Sequence, residues 1–345
     1  MTGSPPNVLY VGGTGTISWS CVQHAARRGH VVTVLNRGTG TSPRSLPGGL
    51  EVLHADIHDA AAVTEALGSR EFDAVVNFTS FTPEHAEESI KTFSGRTAQY
   101  VHISTAALYR KPPRQLPYRE STVRHNPFSG YAADKSRAED VFLTAFATDG
   151  FPVTVVRPSH TYDDAKPPLP GDWTIVDRIA RGAEIVVPGD GTSLWTVTHA
   201  EDFADGLTGL LGNPAAVGEA FHITSDFVYS WNEIYEIVAA ALGVVPRIVH
   251  VPTDLLKVAA PDWRWTDLIV GDLQYSVILD NSKISSYVPG YAPRVPFHEG
   301  ARRFVTWRSG HREATKPDPE VDAVQDRLVA GYRDAEKAFA RLAPS

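Results

Sequence analysis

A short apolar strand that runs straight into a glycine turn and a helix constrains this chain more than any other feature. Asn7-Val-Leu-Tyr-Val11 is followed at once by Gly12-Gly-Thr-Gly-Thr-Ile-Ser18. From residue 16 to Gly29, Ile17, Cys21, Val22, Ala25 and Ala26 fall on one helical stripe, with Gly29 the expected C-cap. Glycines let the backbone turn sharply and approach a pyrophosphate, whose charge then meets the N-terminus of the helix. The spacing is Gly12-x-x-Gly15-x-x-Ser18, with serine where close helix–strand contact usually takes glycine; a small residue still fits there. Thr16 and Ile17, which open the helix, belong to the same expected dinucleotide turn.

Further apolar runs follow at residues 31–35, 73–78, 100–103 and 153–156, separated by helical stretches. Near-continuous apolar strands spaced by helices predict a parallel sheet covered on both faces, a doubly wound α/β domain. After Pro158 the texture changes. Residues 163–172 are polar and rich in proline and read as a loop with Asp163-Asp164 on its face, and the remainder mixes short strands and helices. Trp231 to Leu242 has helical apolar spacing, and Val321, Val324, Leu328, Tyr332, Ala335, Phe339 and Leu342 mark an amphipathic C-terminal helix. The expected organisation is a nucleotide-binding domain over 1–160 with strands returning from about 196–228. A smaller mixed α/β substrate domain takes 161–195 and 229–310, and a helical tail takes 311–345, free to clamp the small domain or a second subunit.

Composition removes several function classes. With 32 basic and 40 acidic residues the formal net charge is −8, which argues against a nucleic-acid partner. No apolar run approaches the roughly 20 residues needed to span a bilayer, and Met1-Thr-Gly-Ser-Pro-Pro6 lacks the features of a signal peptide, so a cytoplasmic location is expected. One cysteine, Cys21, excludes an intrachain disulfide framework and a multi-cysteine zinc site; on its stripe it is most simply a small core residue. None of the 13 histidines has the paired spacing of a zinc helix, so no metal is expected. His85, His102, His160, His199 and His222 read as strand-end or core residues, with His160 and His199 placed to reach a cleft.

The end of the second strand should read the adenosine ribose. An acidic side chain there favours NAD, but the chain has Asn36-Arg37-Gly38. Asparagine does not repel a 2′-phosphate and Arg37 can pair with one, which favours NADP over NAD. The competing reading makes Arg37 a solvated loop charge or a partner for adenine. Asp56, in Ala55-Asp56-Ile57, faces the adenine amino group or caps the helix that begins near Asp59. Tyr131-Ala-Ala-Asp-Lys135 stacks a phenol and an ammonium one helical turn apart. A phenol with a pKa near 10 needs a shift of about three units to act as a base near pH 7, roughly 4 kcal/mol of phenolate stabilisation. A nearby lysine and a cationic nicotinamide are able to supply it. Thr105, 26 residues upstream at a strand end, is a candidate hydrogen-bond donor to the reacting oxygen.

With these residues the chain resembles the extended short-chain dehydrogenase/reductase superfamily, the NAD-dependent epimerase/dehydratase group, from about Asn7 to Trp307. The resemblance rests on Gly12-x-x-Gly15, Asp56, Ser104-Thr105 four residues ahead of Tyr109, and Tyr131-x-x-x-Lys135. It continues through Val156-Arg-Pro158, residues 198–204 and residues 280–283. Residues 34–38 and 189–192 are most similar to an atypical branch that includes chloroplast proteins described as RNA-binding. The resemblance implies a Rossmann sheet, Tyr131 as acid/base, Lys135 holding the ribose and lowering the tyrosine pKa, and Thr105 orienting the substrate. It also implies that Phe78, Thr79, Ser104, Pro158 and Ser159 line the cofactor site, that Ile57 flanks the adenine, and that Ser80, His160 and Trp195 meet the substrate. A homodimer through the nucleotide-domain helices, including residues 129–148, is implied in the same way.

Departures bear on the substrate. An arginine that binds a nucleotide-sugar diphosphate is expected where Trp195 stands, and a second where Leu268-Ile-Val270 stands. Arg178, Arg181, Arg247 and Arg264 are possible substitutes, each equally readable as a surface charge. Trp195 either stacks on a sugar ring or packs in a core. Thr105 is followed by Ala106-Ala107, without the acidic residue a dehydratase uses to protonate a leaving hydroxyl. The expected activity is therefore NAD(P)-dependent hydride transfer at a secondary alcohol or ketone of a sugar, nucleotide-sugar or sugar-like substrate. The alternatives are an NADPH-dependent ketoreductase of a small metabolite, or a non-catalytic dinucleotide-sensing or RNA-associated protein on the same fold.

Overall fold

The computed structural model describes residues 5–39 and 43–342. The ends of the chain, over which the leader and the last of the tail were read, lie outside the described residues at 1–4 and 343–345. The first half alternates β1 (Asn7–Val11), α1 (Thr16–Arg27), β2 (Val31–Asn36), β3 (Glu51–His54), α2 (Ala60–Leu67), β4 (Ala74–Asn77) and α3 (Pro83–Phe93). It continues with β5 (Tyr100–Ile103), α4 (Gly130–Asp149) and β6 (Val153–Arg157). These strands form a parallel sheet that β11 (Ala220–His222) completes at one edge, in the order β11-β6-β5-β4-β1-β2-β3. Alternate residues of β1 serve opposite layers: Val8 and Tyr10 pack with Cys21, Val22 and Ala25 of α1, while Leu9 and Val11 pack with Val63, Ala86 and Phe142. Both faces are therefore covered, as near-continuous apolar strands require.

The order reverses between β1 and β4, so their C-terminal ends open a crevice at the switch point of the sheet, where ligands bind in such folds. Two glycines make the turn out of β1. Gly12 and Gly13 have φ of 112° and 89°, and a Cβ on Gly13 would stand 2.6 Å from Val34 Cγ1. Strain of about 1–2 kcal/mol from the left-handed backbone adds to overpacking of about 1–3 kcal/mol. Gly13→Ala is thus expected to destabilise the fold by about 2–5 kcal/mol in urea unfolding, and an unchanged midpoint would contradict this packing.

The smaller region is a mixed α/β unit. Its strands pair two by two: β7 (His160–Tyr162) with β10 (Val197–His199), β8 (Glu184–Pro188) with β13 (Arg247–Val251), and β9 (Leu194–Trp195) with β12 (Tyr229–Ser230). Around them lie α5 (Trp173–Ala180), α7 (Trp231–Leu242), α8 (Thr253–Ala259), α9 (Arg264–Leu268) and α11 (Phe297–Gly310), while α6 (Ala200–Leu210) packs on α1 and α10 (Ser282–Tyr287) packs on β11, with Ile284 in the core of the large sheet. Trp195, Trp231, Tyr235 and Phe304 are central to its core. The tail helix α12 (Pro319–Ala340) lies on this region: Gln325 Oε1 accepts the Val186 N–H at 2.9 Å, and buried Arg178 meets Asp322 and Asp326. The tail therefore clamps the small region within the same chain. Asp163 and Asp164, expected on a solvated loop face, are instead engaged across the molecule. Asp163 is buried against Arg44, with bonds of 2.7 and 2.6 Å, and Asp164 bonds His199 and Arg303. The partners come from distant segments, 119 residues away in the case of Arg44, which local composition does not reveal.

A candidate dinucleotide cleft beside a small reaction cavity

Two cavities lie at the C-terminal end of the sheet. The larger, about 660 Å³, runs over the turn at Gly12, Thr14 and Gly15, past Asn36 and Arg37, to Asp56 and Ile57, with Phe78 and Thr79 on its other wall. Ser18 does more than fit the helix–strand contact, since its Oγ accepts the Gly15 N–H at 2.9 Å. Asn77, at the end of β4, takes the Thr79 N–H and hydroxyl at 2.7 and 2.8 Å and so shapes the opposite wall. Asp56 is not the cap of α2; Asp59 is, accepting from Ala61 and Ala62 N–H. Asp56 stays exposed at the cleft, its Oδ1 taking the His58 N–H. Thr16 and Ile17 open α1 without lining this cavity.

The smaller cavity, about 270 Å³, holds Thr105, Tyr131, Pro158, Ser159, His160 and Trp195 together with Lys166, Trp265 and Asp272. Tyr131 stands at the first turn of α4, whose N-cap Ser129 accepts the Ala132 N–H, and Thr105 caps a short 3₁₀ turn through the Ala107 N–H. Asn126 ties these parts together: its Nδ2 donates to Ala107 O and Gly271 O at 2.8 and 2.9 Å. Gly271 belongs to a π-helical turn, Ile269–Leu273, of the sort often found at functional sites. Leu273 O in that turn accepts the indole N–H of both Trp195 and Trp231. Trp195 is thus a core residue, only 2% exposed, that also forms cavity wall.

Lys135 is buried and lines neither cavity, with Nζ donating to Ser80 O and Ile103 O at 2.6 Å each and standing 4.7 Å from the Phe81 ring. Burial lowers its pKa to about 7, against the opposing pull of Glu139. Burial also raises the Tyr131 phenol above its usual value; the Thr105 hydroxyl draws it back and the Asp272 carboxylate adds to the rise. Tyr131 is therefore a proton donor at neutral pH in this form of the protein. His160 is held down to about 4 by burial first and Lys166 second, so it is neutral between Trp195 and Trp231. Ser80 is fully buried and reaches neither cavity with its side chain, and Ser104 is buried beside them. His199 also stays out of both cavities, bonded to Asp164.

The four arginines considered for a diphosphate are committed elsewhere. Arg178 and Arg181 meet α12 carboxylates, Arg247 meets Glu184, and Arg264 pairs with Asp172 at 2.7 Å. Sequence reading missed Gly13, Phe81, Lys111, Trp265 and Asp272. Only the second of two consecutive glycines, Gly13, carried a local signal; the others reach the site through tertiary packing.

A family model described as NAD dependent epimerase/dehydratase family matches residues 8–224. The chain belongs to this family. Among similar proteins, 2'-dehydrokanamycin reductase of Streptomyces kanamyceticus is 28% identical over 290 residues, covering 83% of this chain and 80% of the relative. The chloroplast stem-loop binding protein of 41 kDa b of Arabidopsis thaliana is 27% identical over 259 residues, 72% of this chain and 66% of its own. In fold, the chain is similar to a dTDP-glucose 4,6-dehydratase of Bacillus anthracis solved in complex with NAD, with a TM-score of 0.72 at 19% identity, covering 89% and 98% of the two chains. Among the described residues no helix is long and apolar enough to cross a membrane.

Proposed function

We propose that this chain is an NAD(P)-dependent oxidoreductase that moves hydride at a secondary alcohol or ketone of a sugar-like substrate. The observation that carries this reading is the meeting of Thr105 and Tyr131 in one small cavity, next to a long cleft floored by Gly12 and Gly15. The cleft fits a dinucleotide: its turn has φ values only glycine adopts readily, and its volume lies within the range of cofactor sites. When bound, the dinucleotide supplies or takes the hydride. Tyr131 gives its proton to the carbonyl oxygen during reduction, and Thr105 orients that oxygen. Lys135, held to a pKa of about 7 by burial, provides a positive charge when protonated, within one helical turn of the phenol, and its Nζ is placed to bond a ribose in place of a backbone carbonyl. In the oxidative direction Tyr131 must first lose its proton, which the same charge assists.

The relative acting on dehydrokanamycin, a reductase by name, makes reduction the favoured direction, and epimerisation is the alternative. Cofactor content of the purified protein tests this: tightly retained NAD supports a closed cycle as in an epimerase, and an empty protein that prefers NADPH supports a reductase. Preference for NADP rests on Asn36 and Arg37 at the cleft end, beside the exposed His54. A charge-assisted contact to a phosphate contributes about 1.5–3 kcal/mol. Arg37→Ala is accordingly expected to weaken NADPH binding at least tenfold in a fluorescence titration and to spare NADH. Equal losses for both would assign Arg37 to adenine. The homodimer implied by the resemblance stays part of this proposal, with the helix over residues 129–148 as one contributor.

A further inference from the structure

We propose that the small cavity is built for an amine-bearing carbohydrate ketone without a nucleoside diphosphate, and that Asp272 is the carboxylate that receives the amine. The inference rests on the proposed oxidoreductase reading and names its substrate class. Among the described residues Asp272 is the only acidic one lining the cavity; it is 6% exposed and sits on the π-helical turn. Its ion-pair partner is Lys111, whose side chain is fully buried with Nζ 2.7 Å from Asp272 Oδ1. The ion pair occupies Oδ1, which is buried against the lysine, and leaves the second carboxylate oxygen to meet a substrate donor. Burying such a pair is costly, and replacement by apolar residues is often neutral or stabilising. What the pair achieves here is to hold a carboxylate at the wall of the cavity, where a substrate donor would complete its bonding.

The rest of the wall points the same way. Trp195 and Trp265, both largely buried, form apolar wall, and among the described lining residues the one cationic side chain, Lys166, is exposed. A diphosphate needs clustered cationic donors, preferably arginines in bidentate geometry, and among the described residues no arginine lines this cavity. At about 270 Å³ the space is also below the usual range of roughly 300–1,000 Å³ for ligands of drug size.

The test is calorimetric titration of the NADP⁺-saturated protein with glucosamine, N-acetylglucosamine and UDP-glucose. Glucosamine is expected to bind at least tenfold more tightly than its neutral N-acetyl form, with UDP-glucose weaker than both. Asp272→Asn should erase the preference for the amine. Because that variant leaves Lys111 buried without its counter-charge, the double variant Lys111→Met with Asp272→Asn serves as the folded control and should show the same loss. Tighter binding of UDP-glucose than of glucosamine, or an amine preference that survives both variants, overturns the proposal. The readout is binding alone, so this proposal can fail while Tyr131-dependent hydride transfer stands. Failure of the hydride reading shows separately, as absent dinucleotide binding or turnover.

Discussion

Replacing Tyr131 by phenylalanine is expected to lower turnover by about 10²–10⁴-fold, the usual contribution of a positioned general acid or base. The substitution removes one oxygen. Tyr131 lines the small cavity, not the dinucleotide cleft, so NADPH and NADH affinities should stay within about twofold of the parent. The loss should fall on kcat, because the proton moves in the transition state and the ring that shapes the cavity remains. Steady-state kinetics with a ketone substrate, together with cofactor titration, checks both halves. Unchanged turnover would remove Tyr131 from the chemistry and favour a binding protein on this fold.

The second large effect concerns Lys135 and pH. A lysine near pKa 10.4 in the unfolded chain and about 7 in the folded one binds fewer protons when folded between those values. Stability therefore rises with pH across that window. Below about pH 7 both states are protonated and burial of the ammonium costs its full amount, about 4–5 kcal/mol; above about pH 10.4 both are neutral and the cost is gone. Lys135→Met removes this dependence, though it leaves Ser80 O and Ile103 O without their donor, at about 1–3 kcal/mol each. The stability of the variant minus that of the parent should fall by about 1.4 kcal/mol per pH unit from pH 7 to 10. Urea unfolding of both proteins over that range measures it. A difference that stays flat with pH would mean that the ammonium is solvated or paired in the fold.

Much of the architecture was legible in local patterns. The strand of Asn7–Val11, its glycine turn and the stripe of Cys21, Val22 and Ala25 are determined over about 20 consecutive residues, where hydrophobic periodicity and turn chemistry act together. Tyr131 and Lys135 were legible for the same reason, since one helical turn fixes their juxtaposition whatever surrounds them. That Thr105 shares a cavity with Tyr131 needed the fold to become a geometric fact.

Other features depend on approaches between distant segments. Asp163-Asp164 has the composition of a solvated loop, yet one carboxylate is buried by Arg44 and the other is bonded by His199 and Arg303. Asp272 and Lys111 are 161 positions apart and carry no motif, and only the π-helical turn against the loop before α4 brings the carboxylate to the cavity. Sequence by itself determined the doubly wound sheet, the place of the glycine turn and the phenol–ammonium pair, because hydrophobic periodicity, backbone conformation and helical spacing are local. Tertiary structure alone decided which charges are buried, which arginines are already paired, and what size and polarity the reaction cavity has, because burial and Coulomb energy depend on neighbours that the chain order does not specify.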